Sequence, residues 1–168
     1  MKTQPRSNNT LPVIASVCLL ATSLATDAAP LPQLKVSDNH RFLVQANGQP
    51  FFYLGDTTWE LFHRLNREEA IKLFENRAAL KFNVLQSVAI AELEGHTDPN
   101  PYGFLPFVDL DVTQPAVQDG PQNDYWDHVD YVIDEAAKRG IYIALVPVWG
   151  SAVKSSTITT NQIRKYAE

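Results

Sequence analysis

The chain holds a single cysteine, Cys18, inside the apolar stretch near its start. A disulfide scaffold and a cysteine–zinc site are therefore excluded. Basic residues are also few, 14 Lys and Arg against 19 Asp and Glu. No basic stripe runs along the sequence to hold phosphates, which argues against nucleic acid as a partner. Attraction to an anionic membrane surface is unfavourable for the same reason. The four histidines, His40, His63, His96 and His128, show no ligand spacing, so no metal centre is predicted. Gly-x-Ser-x-Gly, P-loop and His-Glu-x-x-His patterns are all absent, and no cofactor is predicted.

Long apolar runs are scarce too. The one of note, residues 11–25, is uncharged and follows the basic Lys2 and Arg6. It is shorter than the ~20 residues a membrane span requires. Ser23 and Ala25 are small residues at the two positions a signal peptidase reads, so residues 1–25 form a predicted signal peptide cleaved after Ala25. A lipoprotein signal at Cys18 would want a leucine and a small residue that Ala15-Ser16-Val17 does not supply. The expectation is a secreted or periplasmic protein without stable membrane insertion. Loss of Lys2 and Arg6 leaves 12 basic against 19 acidic residues, a balance of −7.

Residues 26–33, with two prolines, read as a linker, and 34–168 as one folded domain. Apolar runs at 34–36, 42–44 and 51–54 are separated by the turn signals Ser37-Asp38-Asn39 and Asn47-Gly48. They predict a short β-ribbon and then the first strand of the main domain. Thr57 with Glu60, and Asn66 with Glu69, each have capping-box spacing. Ala70, Ile71, Phe74 and Ala78 recur at helical spacing, which predicts a helix over about 67–80. Residues 82–86 are a strand. The stretch 87–123 carries five prolines and three glycines and reads as a long loop. Asp124 caps a second helix with a stripe of Val129, Val132, Ile133 and Ala136, and Gly140 ends it in the left-handed conformation. Residues 141–148 are apolar almost throughout, as a doubly buried strand would be. Another helix begins near Thr159.

Strand and helix therefore alternate, which predicts an α/β fold with a parallel sheet. A doubly wound sheet would show a glycine-rich phosphate loop after its first strand, and Gly55-Asp56-Thr57-Thr58 is not one. A (β/α)8 TIM barrel puts its chemistry on the loops after the strands and tolerates long ones there. The long loop after Gln86 fits that closure better. A full barrel takes about eight strands and ~250 residues. The reading is therefore the N-terminal part of such a barrel, about three βα repeats, preceded by the β-ribbon.

Parallel strands open their C-terminal ends onto one face. Asp56 and Trp59 follow the first strand, Gln86 ends the second and Trp149 follows the third. The loop adds Tyr102, and the second helix starts with Trp126 and His128. Aromatic rings cover the flat C–H faces of sugars while polar groups bind the hydroxyls. These seven residues are the candidate substrate-binding set, for a polysaccharide or oligosaccharide. Each has a structural alternative: Asp56 as a backbone-bonding loop anchor, Trp59 and Trp126 as core anchors. Glu92 and Glu94 are a carboxylate pair, but spacing within one loop says nothing about separation across a sugar ring. They read as a solvated loop edge. Asp109, Asp111 and Asp119 lack the EF-hand pattern and read as surface turns.

Five blocks occur in order: Leu54-Gly55-Asp56-Thr57-Thr58-Trp59, Phe82-Asn83-Val84-Leu85-Gln86, Asn100-Pro101-Tyr102-Gly103 with Pro106-Phe107, Asp124-Tyr125-Trp126-Asp127-His128-Val129-Asp130, and Pro147-Val148-Trp149-Gly150. Together they resemble the apiosidase-like glycoside hydrolases, a bacterial (β/α)-barrel family whose members often carry a further C-terminal β-domain labelled as collagen-binding. The resemblance covers most of 42–150. It implies hydrolysis of glycosidic bonds in plant or bacterial polysaccharide, with pectic side chains as the known case. It also implies that both catalytic carboxylates lie on later strands, the first just beyond Glu168. No position in this chain matches them, so no catalytic residue is assigned, and the 168-residue chain is expected to be inactive as it stands. The competing expectations are a barrel that grips a glycan without cutting it, and a fragment with no function of its own.

Overall fold

A computed structural model describes residues 30–155 and 158–167. The predicted signal peptide, and the linker as far as residue 29, lie outside the described residues. Strands β1 (Leu34–Val36) and β2 (Leu43–Gln45) pair antiparallel, with Lys35 opposite Val44. This is the predicted ribbon. It sits against the N-terminal end of the main sheet: the Tyr142 hydroxyl donates to the Pro32 carbonyl, and the Phe51 ring meets Tyr142 edge-on at 5.3 Å.

The main sheet is parallel, in the order β3 (Gly55–Thr57), β4 (Val84–Ile90), β5 (Tyr142–Val148). Its connections carry α1 (Leu61–Arg64), α2 (Arg67–Ala79) and α3 (Tyr125–Ala137). Helices α4 (Gly150–Lys154) and α5 (Thr160–Ala167) follow β5. This is three βα repeats of a (β/α)-barrel. The core lies between β4 and the helices, where Leu85 and Ala89 meet Ala70, Phe74, Val129, Val132 and Ala136. Phe62 and Phe74 are fully buried. Each such side chain stabilises the fold by roughly 1.5–3 kcal/mol through burial. Among the described residues no helix is long and apolar enough to cross a membrane.

Local signals set several boundaries. The Asn66 side chain accepts from the Glu69 N–H while the Glu69 carboxylate accepts from the Asn66 N–H, so the capping box of α2 is complete. Asp124 accepts from the N–H groups of Trp126 and Asp127, and so caps α3. Gly140 takes φ +77° just past the helix end, where a Cβ would be strained.

Three expectations are corrected. The first barrel strand is at 55–57, not 51–54. Residues 51–54 are instead pinned by Asn83, whose side chain accepts from the Leu54 N–H at 2.9 Å and donates to the Phe52 carbonyl at 2.7 Å. The Thr57–Glu60 capping box does not form. Thr57 remains in β3, and Glu60 precedes α1 with its carboxylate turned to His63 at 3.0 Å and Arg64 at 3.5 Å. The second strand runs to Ile90, four residues past Gln86, because β4 pairs with β5 along its whole length. β5 is also less buried than its composition implies: Leu145 is 44% exposed. Among the described residues its second edge has no partner strand.

Candidate functional site

Side chains alternate across each strand, so parallel register sorts them by face. Leu85 and Ala89 belong to the helix-covered core. Gln86 therefore faces the opposite way, towards the barrel axis, level with Thr57 on β3 and Ala144 on β5. Beyond Thr57 the chain stays strapped to β4. Thr58 N–H donates to the Gln86 carbonyl at 2.8 Å, and the Thr58 and Ser87 hydroxyls meet at 2.7 Å. This carries Trp59 over the C-terminal end of the sheet. Trp149 arrives there from β5 as the residue preceding α4. The two indoles meet with centroids 4.5 Å apart, tilted by 58°. Trp59 remains 37% exposed. A tilted aromatic pair above an amide-bearing row is a surface for the C–H face of a sugar ring.

At the same ends of β4 and β5 is a cleft of about 340 Å³ between the segment after β4 and the start of α4. Ile90, Ala91 and Ala152 contribute its apolar part, and Glu92, Glu94, His96 and Ser151 its polar part. The Ser151 hydroxyl lies 3.5 Å from the Glu92 carboxylate. The segment folds back tightly: a Cβ on Gly95 would come within 2.7 Å of the Ala91 nitrogen, and Glu94 takes φ +68°. Arg64 holds it from outside, donating to the Leu93 carbonyl at 3.2 Å with the Glu94 carboxylate 3.9 Å away.

The other four candidates lie elsewhere. Asp56 pairs in register with Leu85, which places its side chain on the helix side of the sheet. There it accepts from the Thr57 N–H and meets Arg77 of α2 at 2.5 Å. The Thr57 bond first, and Arg77 second, hold its pKa below the ordinary carboxylate value. The structural alternative for Asp56 thus matches its surroundings, because neighbouring positions of a strand point to opposite faces.

Tyr102, Trp126 and His128 form a packed rim where the long loop meets α2 and α3. The Tyr102 hydroxyl accepts from the first N–H of α2, at Arg67, at 2.9 Å. The Arg67 guanidinium stacks over Tyr102 and Tyr131 at 5.2 and 4.4 Å. His128 is buried beneath Tyr102, its Nε2 3.1 Å from the Leu65 carbonyl. Burial first, and the Arg67 cation second, push its pKa down to about 4. A carbonyl only accepts, so Nε2 carries the proton of the neutral ring. Trp126 donates from Nε1 to the Pro106 carbonyl at 2.9 Å and packs on Phe107, Tyr125 and Tyr166. Of the seven, Trp59 and Trp149 therefore meet at the strand ends, while Gln86 lies on the axis-facing side of β4, four residues before its end at Ile90. Asp109 and Asp111 belong to a short 3-10 turn, where Asp111 accepts from Thr113 and Gln114.

The sequence model described as the apiosidase-like catalytic domain matches residues 37–168. The chain belongs to the apiosidase-like family. Two solved structures resemble this apiosidase-like domain, each with a TM-score of 0.70. One is a glycoside hydrolase, 36% identical over 80% of the chain. The other is a glycoside hydrolase family 5 protein from Bacteroides vulgatus ATCC 8482, 31% identical over 81% of the chain. The chain spans 29% of the length of either. No curated protein matches it.

In the apiosidase-like frame, the C-terminal strand ends are the face where barrel enzymes place their chemistry. The tryptophan pair and the cleft both lie there. Sequence reasoning passed over Ser151 and set Glu92 aside as a loop edge. The signal available was their position directly after β4 and β5, which matters only once those strands are known to be neighbours.

Proposed function

We propose that this domain supplies the first three repeats of a glycoside hydrolase barrel and that Trp59, Gln86 and Trp149 line its sugar site. The substrate class is plant or bacterial polysaccharide, pectic side chains among them. The observation that carries the reading is the 4.5 Å tryptophan pair at the ends of β3 and β5. Gln86 is the amide of the adjoining row, suited to one sugar hydroxyl. Hydrolysis itself generally takes two placed carboxyl groups, which the family resemblance puts on later strands, so the 168-residue chain alone is proposed to be inactive.

The test uses a chimera in which residues 37–168 replace the matching segment of the 36% identical glycoside hydrolase. Trp149→Ala should weaken oligosaccharide binding about tenfold, the loss of order 1 kcal/mol or more expected for one stacked aromatic. Its melting temperature should change little, because the indole is only partly buried. Unchanged binding together with a sharp drop in melting temperature would make Trp149 a core residue and remove the basis of the proposal.

Export is part of the same proposal and rests on Lys2, Arg6 and the uncharged run to residue 25. Expressed in a bacterium, the exported protein should have lost about 25 residues, as signal cleavage requires. Mass spectrometry of the exported fraction decides it: an intact N-terminal Met1 there contradicts cleavage.

A further inference from the structure

The cleft at the ends of β4 and β5 has a one-sided chemistry. Glu92 and Glu94 bring carboxylates, which accept hydrogen bonds and carry negative charge. His96 donates from Nε2 to the Leu110 carbonyl at 2.7 Å, so in the neutral ring its Nδ1 is an acceptor. That Nδ1 is buried and has no hydrogen-bond partner among the described residues. Ser151 and Thr97 add hydroxyls that donate or accept. Among the described residues no lysine or arginine lines the cleft. The Arg64 guanidinium, which approaches Glu94 at 3.9 Å, donates to the Leu93 carbonyl.

An acceptor-rich, negatively charged cleft favours a ligand that donates hydrogen bonds and repels an anionic one. The apolar patch from Ile90, Ala91 and Ala152 suits the C–H surface of a ring, and about 340 Å³ is room for a single sugar residue. Trp149 is not among the lining residues but precedes two of them, Ser151 and Ala152 in the first turn of α4, by two and three positions.

We propose that this cleft is a second glycan subsite, at the same strand ends as the tryptophan pair, that takes an uncharged sugar residue through its hydroxyl donors and turns away uronic acids. Glu92 is the specificity-determining residue. It faces Ser151 across the cleft, and no cation stands among the described lining residues to neutralise it. The proposal rests on the glycan-site reading of Trp59 and Trp149, and the experiment separates the two.

The probes are an oligogalacturonide and the same oligomer with its carboxyl groups reduced to alcohols, so that only charge differs. Binding to the chimera is measured by calorimetry at low and high salt. The reduced oligomer should bind about tenfold tighter at low salt, with the gap narrowing as salt screens the carboxylates. Glu92→Gln should close most of that gap by improving uronate binding, at unchanged melting temperature, since Glu92 is exposed. Trp149→Ala should weaken both oligomers alike. A gap unchanged in Glu92→Gln, with both oligomers weakened in Trp149→Ala, overturns the subsite and leaves the glycan site standing. Failure of both oligomers to bind, or indifference of both to Trp149→Ala, overturns the glycan site and the subsite with it.

Discussion

Expressed from Thr26 to Glu168 with nothing appended, the chain should melt without a sharp transition, bind a hydrophobic dye and release no sugar from any polysaccharide. The reason lies in the sheet. β4 is paired on both sides, but β3 and β5 each have a second edge without a partner strand among the described residues. Unpaired edges expose N–H and C=O groups to other chains and invite aggregation. Apolar side chains stay open as well: Phe52 is 77% exposed, Tyr53 49%, Leu145 44% and Trp59 37%. Contiguous apolar surface beyond a few hundred Å² is rarely tolerated by a soluble monomer. Grafted into the 36% identical hydrolase, of whose length the chain matches 29%, the same residues should gain strands on both edges, as barrel closure requires. The chimera should therefore melt cooperatively, tens of degrees of scan reduced to a narrow transition. Calorimetry and a reducing-sugar assay on both proteins are the measurement. A cooperative melt with measurable sugar release from the short chain would refute the proposal.

The chimera should also lose stability as pH falls from neutral, and His128 should be responsible for much of the loss. Its folded-state pKa is near 4, against an ordinary value of about 6.5 in an unfolded chain. The folded protein thus holds the ring neutral while the unfolded chain takes up a proton. The stability this contributes is complete above about pH 6.5 and is lost as pH falls towards 4. The slope is about 1.4 kcal/mol per pH unit, for a total of order 3 kcal/mol at most. The ring is trapped under Tyr102, beside the Arg67 cation, where a second positive charge meets no carboxylate partner among the described residues. Chemical denaturation at pH 7, 5.5 and 4.5 measures the slope, and His128→Gln should flatten it whatever its effect at pH 7. Equal slopes in the two proteins would show that His128 does not titrate between the folded and unfolded states in this range.

Much of the architecture was legible because its signals are local. Asn66 with Glu69, Asp124 and Gly140 act within one turn of a helix, so spacing along the chain is spacing in space. The failed box at Thr57 and Glu60 had the same spacing. There the neighbouring strand decided: pairing with Gln86 keeps Thr57 extended, and the His63 and Arg64 side chains occupy the Glu60 carboxylate. The candidate site was legible only in outline. The sequence showed aromatic and polar residues at strand ends, but which face each one takes depends on register. A shift of one residue along β3 separates Asp56, turned to Arg77, from Thr57, turned to the row of Gln86.

By itself, then, the sequence determined the alternation of strand and helix, the helix caps, the family blocks and the acidic, cysteine-poor character of the chain. These follow from periodicity, composition and contacts within a few residues. Tertiary structure alone decided that Trp59 and Trp149, 90 positions apart, stand 4.5 Å from each other. It also decided that Tyr102 and His128 pack into a rim, and that Glu92 and Ser151 share a cleft. The physical reason is that parallel pairing brings the ends of β3, β4 and β5 together across long connections, and no local propensity encodes that distance.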